Sequence, residues 1–199
     1  MTGIKISLES IKKIRELTGV GVQEAQKVLT EASGDMEKAQ AILRRRGVAV
    51  AAKKADRKAS EGLVHAYVHG RKVGVIVEVN CETDFVAKTE DFQNFVHEIA
   101  LQIAALAPRF ISRSEVPAEV LEKEKAMILE RHSDKMKSAD MMEKIQEGEL
   151  EKFFGEICLL NQPSVKDPKI TVKQMLTDAI ARFGENIVIS RFTRYQLGE

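Results

Sequence analysis

RKVGVIVEVNCETDFVAK, residues 71–88, changes character halfway along. Val73, Val75, Val77 and Val79 recur at the two-residue period of a β-strand with one buried face. An acid and a large aromatic, Asp84 and Phe85, then arrive where the strand gives way. Loops after strands are held by a rigid sheet and often carry binding groups. Side-chain physics favours a plainer role here: Thr83 caps a helical turn, Asp84 sits in its first turn and Phe85 packs inward.

Working outward, LVHAYVHGRKVGVIVEVN reads as two strands around a turn at Gly70-Arg71-Lys72, an antiparallel hairpin. Downstream, Phe92, Phe95, Val96, Ile99, Ile103 and Leu106 line one face of an amphipathic helix that Pro108 stops. Residues 109–116 are expected to form a short strand. Helices follow at 118–132 and 139–154, interrupted by weak polar stretches. TVKQ at 171–174 is a capping box opening a helix with Val172, Met175, Leu176, Ala179 and Phe183, closed by Gly184. NIVISRFTRYQL then gives a last strand. Strands and helices that do not alternate regularly indicate an α+β fold, with an antiparallel sheet packed against helices.

Toward the N-terminus the pattern is helical. Ser7 caps a helix with Leu8, Ile11, Ile14 and Leu17 on its apolar stripe, broken at Thr18-Gly19-Val20-Gly21. A second helix carries Val22, Ala25, Val28, Leu29 and Ala32 and ends at Ser33-Gly34. Asp35 caps a third, with Met36, Ala39, Ile42 and Leu43 inward, closed by Gly47. The expected organisation is a three-helix domain over 1–47, a basic helical linker over 48–62 and an α+β core over 63–199.

Of the 31 Lys and Arg, 13 lie in residues 1–62, against 8 of the 30 Asp and Glu, so that part carries +5 and the remainder −4. Opposite signs fit a two-part chain. Cys81 and Cys158 form no C-x-x-C, so neither a zinc site nor a disulfide framework is indicated, and a reducing cytosol is the expected setting. The N-terminus has no apolar core of signal-peptide length, and no run approaches the roughly 20 apolar residues of a membrane span.

Searches for chemistry give little. Gly19-Val20-Gly21 follows a helix and lacks a third glycine, and no G-x-x-x-x-G-K-[ST] occurs, so no nucleotide site is expected. His65 and His69 share a strand face without a ligand set, and His97-Glu98 is not a zinc-protease helix. No G-x-S-x-G nucleophile motif is present. Arg44, Arg45, Arg46, Lys53, Lys54, Arg57 and Lys58 form a basic run that fits either a nucleic-acid contact or a solvated helix end, without interleaved aromatics.

The motifs TGVG, SGDMEKA, KKADRKASEG, VEVNCETDFVAK, QPSVKDPKITVKQ and GENIVISRF, in this order from Ser7 to Gly198, resemble the bacterial elongation factor Ts family. The resemblance implies a guanine-nucleotide exchange factor that binds elongation factor Tu in its GDP-bound and nucleotide-free states. It implies no cofactor, no nucleotide site, no covalent chemistry, no membrane contact and no specific nucleic acid, in the cytoplasm. It also implies a ubiquitin-associated-like N-terminal bundle. Thr83, Asp84, Phe85 and Val86 correspond to the segment that approaches the partner's magnesium and phosphate site. Arg15, Val22 and Gln23 correspond to a second contact, where many relatives have two methionines in place of Val22-Gln23. Residues 118–155 leave too little room for the long coiled coil of larger members. Short members imply a homodimer holding two partner molecules, with Cys158 and the last strand as candidate interface positions. An RNA-binding accessory factor using residues 44–58 and an adaptor for ubiquitin-like proteins are the rival readings.

Overall fold

The computed structural model describes residues 6–132 and 139–199. The architecture is α+β: among the described residues, eight α-helices and one three-stranded sheet. Packing groups the described residues into two units. One takes the chain up to Gly62 together with Asn80–Thr89 and Gln174–Val188, and the other takes Leu63–Val79, Glu90–Lys173 and Ile189–Glu199.

The first unit begins with helices α1 (Leu8–Thr18), α2 (Val22–Glu31) and α3 (Met36–Lys54). Ser7 caps α1 by accepting from Ser10 N, and Asp35 caps α3 by accepting from Lys38 N. Gly19 (φ 70°) takes the left-handed conformation that ends α1, its N–H bonded to Arg15 O at 2.7 Å. Ile11, Ile14, Ala25, Val28, Leu29, Ala32 and Ala39 form the bundle core.

The expected α1 stripe is half right, because Ile11 and Ile14 are buried while Leu8 and Leu17 are exposed. Each three-residue step falls about 60° short of a full turn, so a seam centred between positions 11 and 14 leaves 8 and 17 at its flanks. Val22, expected to face inward, is likewise half exposed at the start of α2.

Helix α3 does not stop at Gly47. It runs through to Lys54, and the basic segment is helical only that far. Gly47 is buried, with Ala181 and Thr177 of α8 (Val172–Phe183) 3.6 and 3.8 Å from where a Cβ would stand. These distances are ordinary van der Waals contacts, so Gly47 neither ends the helix nor is required by the approach of α8. Gly184 (φ 70°) closes α8 as expected, its N–H bonded to Ile180 O.

Most of β1 (Glu61–His69) and β2 (Val73–Cys81) falls in the second unit; they are joined by Gly70 and Arg71, both with positive φ, and Lys72 N donates to His69 O at 3.0 Å. This is the primed turn whose twist suits a hairpin. The strand order is β1-β2-β3, with β3 (Val188–Gln196) antiparallel to β2, since Leu197 N bonds to Lys72 O and Arg191 to Glu78.

One face of this sheet lies against α5 (Glu90–Leu106). Val75, Val77 and Val79 are buried with Phe92, Phe95, Val96, Ile99 and Ile103, and Arg194 reaches Ala104 O. The other face is open and carries Val64, Val68, Ile76 and Tyr195, all more than half exposed.

His65 and His69 share a strand face, and Tyr67 between them bonds His69 Nδ1 at 2.8 Å. The partner of His65 comes from α5: its Nε2 lies 3.1 Å from His97 Nδ1. Among the described residues no group of three or more His, Cys, Asp or Glu is arranged to hold a metal ion.

Residues 109–116 are not a strand. Phe110 makes a single parallel bridge to Cys158, and Arg113–Glu115 form a 3-10 turn. Cys158 is fully buried beside that bridge, so it is not available as an interface position. Helices α6 (Ala118–His132) and α7 (Ala139–Ile157) pack as a short pair, tied by Arg131 to Glu149. The polar stretch expected between them, 133–138, lies outside the described residues. The buried amides of Gln102 and Gln162 bond each other, and Gln162 also caps carbonyls of Leu106 and Glu156. No described helix is long and apolar enough to cross a membrane.

Candidate functional site

The strand alternation of β2 ends at Cys81, and Thr83, with extended backbone (φ −128°, ψ 151°), starts α4 (Asp84–Ala87). The cap is as expected: Thr83 Oγ1 accepts from Val86 N at 3.4 Å. Asp84, in the first turn, pairs with Lys88 one turn on, and that ammonium holds the Asp84 carboxyl below its usual pKa.

Phe85 does not pack inward; it is 80% exposed. Thr83, Asp84, Val86 and Ala87 are half-buried, and Phe85 alone among residues 83–87 is exposed. Fully burying a Phe side chain is worth about 1.5–3 kcal/mol, and this chain forgoes it.

A single helical turn is too short to hold itself, because the nucleation cost outweighs its few hydrogen bonds. Sequence reasoning missed what holds it. Glu185, just after Gly184, accepts from Glu82 N (3.1 Å) and Thr83 N (3.0 Å) through Oε2, and from Thr83 Oγ1 (2.6 Å) through Oε1. Glu82 reciprocates: its Oε1 accepts from Asn186 N at 2.6 Å and its Oε2 lies 3.5 Å from Arg57 Nη1. The Asn186 bond, with Arg57 nearby, holds the Glu82 carboxyl below its usual pKa.

Asn186, nearly fully buried, donates from Nδ2 to Ala55 O and Arg57 O, and Lys54 donates to Gly184 O. Hydrogen bonds to ionised groups contribute about 1.5–3 kcal/mol each. The only signal in the sequence was an acid and an amide following a helix-ending glycine, which fixes no partner.

Arg15, Val22 and Gln23 are all exposed and flank the turn joining α1 to α2, where Arg15 Nε donates to Val20 O at 3.4 Å. They lie on the bundle, and Thr83–Val86 lie in a separate turn of the same unit. Much of the basic run is used internally. Arg46 pairs with Glu24 and Glu31, Arg57 with Glu82, and Lys54 with Gly184 O.

Chemically the turn offers one large apolar ring and one carboxylate. The nearest thiol, Cys81, is buried and its pKa is raised by that burial and by Glu185, which makes it a poor nucleophile. The arrangement suits insertion into another molecule's surface.

Comparison with known proteins agrees with the motif order. Residues 9–199 match the family described as elongation factor TS. The chain is 53% identical to elongation factor Ts of Carboxydothermus hydrogenoformans, over 98% of this chain and 90% of that protein. It is 54% identical to that of Caldanaerobacter subterraneus subsp. tengcongensis, over 98% of each. It is 49% identical to that of Herpetosiphon aurantiacus, over 98% of this chain and 99% of that protein. With a family match across nearly all its residues and relatives of this identity covered over 90% or more of their length, the chain belongs to the elongation factor TS family.

Proposed function

We propose that this protein is the guanine-nucleotide exchange factor for elongation factor Tu, acting in the cytoplasm during translation elongation, and that it makes and breaks no covalent bond. The observation that carries the reading is Phe85, exposed at the tip of a turn that three hydrogen bonds to Glu185 and the Thr83 cap hold in place. A buried ring would have had no partner to meet.

Entry of Phe85 near the partner's magnesium and phosphate site disturbs the groups that hold GDP, while Asp84 offers a carboxylate to that region. Thr83 and Val86 are the fixed ends of the wedge. Binding of the factor and binding of GDP then weaken each other reciprocally, and nucleotide leaves faster. Arg15, Val22 and Gln23 make the second contact from a ubiquitin-associated-like bundle. Val22 and Gln23 adapt to an irregular surface less well than the methionines many relatives carry there.

The assembly is a homodimer carrying two partner molecules. Its support is the open sheet face with Val64, Val68, Ile76 and Tyr195, an apolar patch of the kind two sheets bury face to face. The RNA reading is weakened because Arg46, Arg57 and Lys54 are already engaged within the chain.

The test is release of fluorescent GDP from purified elongation factor Tu at constant Mg²⁺. Acceleration that rises with this protein and saturates is expected. No acceleration by a folded preparation would overturn the reading, and salt-sensitive RNA binding in its place would favour the rival.

A further inference from the structure

We infer that Glu185 is a positioning residue for nucleotide release, acting only through the turn that presents Phe85; the inference rests on the exchange reading above. Phe85 cannot anchor itself, being exposed, and α4 has only four residues. The wedge must nevertheless resist being pushed back when it enters a partner. Ordering a loose turn at that moment would subtract from the binding free energy available to loosen GDP.

Glu185 supplies the resistance through one carboxylate that receives three donors: the N–H groups of Glu82 and Thr83 and the Thr83 hydroxyl. The hydroxyl has a single proton. With that proton committed to Glu185 Oε1 at 2.6 Å, the oxygen presents lone pairs to Val86 N–H, so the same contact also sets the cap.

The anchorage continues past Glu185. Asn186 N donates to Glu82 Oε1, and its buried amide is fixed by the carbonyls of Ala55 and Arg57 at the end of the basic segment. The two residues that lead into the turn, Glu82 and Thr83, and the junction after α8 therefore hold each other through two carboxylates pointing in opposite senses.

Glu185→Gln keeps the shape and removes the charge: its one carbonyl oxygen can serve the two backbone N–H groups only with its NH2 turned to Thr83 Oγ1, which reverses that bond and takes this acceptor from the hydroxyl proton. Thr83→Val removes the hydroxyl bond and the cap on Val86 N–H and leaves the two backbone bonds to Glu185.

The experiment measures GDP release from elongation factor Tu against factor concentration for the native chain, Glu185→Gln, Thr83→Val, Phe85→Ala and the Glu185→Gln/Phe85→Ala double variant, with folding checked by circular dichroism. Amide exchange at Thr83 and Val86 is read in parallel. Glu185→Gln is expected to lower the maximal release rate about tenfold, the effect of losing one charge-assisted hydrogen bond's worth of positioning. The half-saturating concentration should change far less, amide exchange at the turn should quicken, and Thr83→Val should slow release in the same direction.

The double variant should lose far less relative to Phe85→Ala than Glu185→Gln loses relative to the native chain, because only Asp84 is left on the turn for Glu185 to position. An additive further loss would mean that Glu185 acts elsewhere and would overturn the inference. A large loss in Phe85→Ala with none in Glu185→Gln would overturn the inference alone. No loss in Phe85→Ala would overturn the exchange reading and this inference together.

Discussion

Phe85 and Glu185 carry opposite lessons about what a residue discloses. Phe85 was visible in the sequence, but its burial was not: aromatic residues pack inward by default, and only the orientation of a four-residue turn sends this ring outward. Glu185 stayed invisible because its three donors come from residues about a hundred positions away, and no local spacing encodes that meeting. Thr83 was legible as a cap, since an N-cap is a short-range motif. Thr83→Ala, which removes both the cap and a bond to Glu185, should destabilise the chain by about 1–2 kcal/mol in urea unfolding. An unchanged midpoint would show that the turn is not held as described.

At the scale of elements, periodicity located the helices and strands well and their ends poorly. Gly47 was read as a stop because glycine is a poor helix former, but α3 runs on past it and packs beside α8. The nearest atoms to an added Cβ, 3.6–3.9 Å away on Ala181, Thr177 and Asp178, leave ordinary van der Waals room. Gly47→Ala should therefore stabilise the protein by about 0.5–1 kcal/mol; destabilisation would mean that the approach of α8 is tighter than this.

The β1–α5 contact at His65 and His97 was missed because it joins two faces that each looked complete. Burial, then the nearby His97, lowers the pKa of His65, so the folded state resists a proton that the unfolded chain accepts. Tyr67 and His69 border the same contact. Above the ordinary histidine value of about 6.5 both states are neutral and stability is full; as pH falls below it toward the folded value, stability is lost. Unfolding midpoints at pH 7.5 and 5.5 should therefore differ more for the native chain than for His65→Gln. Equal differences would remove His65 as the cause.

For the whole molecule, the charge division seen in the sequence is only partly mirrored in the packing, because residues 80–89 and 174–188 join the basic N-terminal stretch in one unit. Order along the chain could not show this. The open sheet face belongs to the second unit and is the surface proposed above for the dimer. Val68 is 68% exposed, so Val68→Asp should leave folding intact while converting a dimer to a monomer in sedimentation. A native chain that sediments as a monomer at micromolar concentration would remove the dimer from the account.

The central claim is that an exposed ring on a pinned turn drives nucleotide out of the partner. Its most direct measurement compares GDP release from elongation factor Tu with the native chain and with Phe85→Ala at saturating concentration, alongside urea unfolding of both. The account predicts release at least about tenfold slower for the variant and a stability within about 0.5 kcal/mol of native, because the ring is outside the core. Equal release by two equally stable proteins would contradict it.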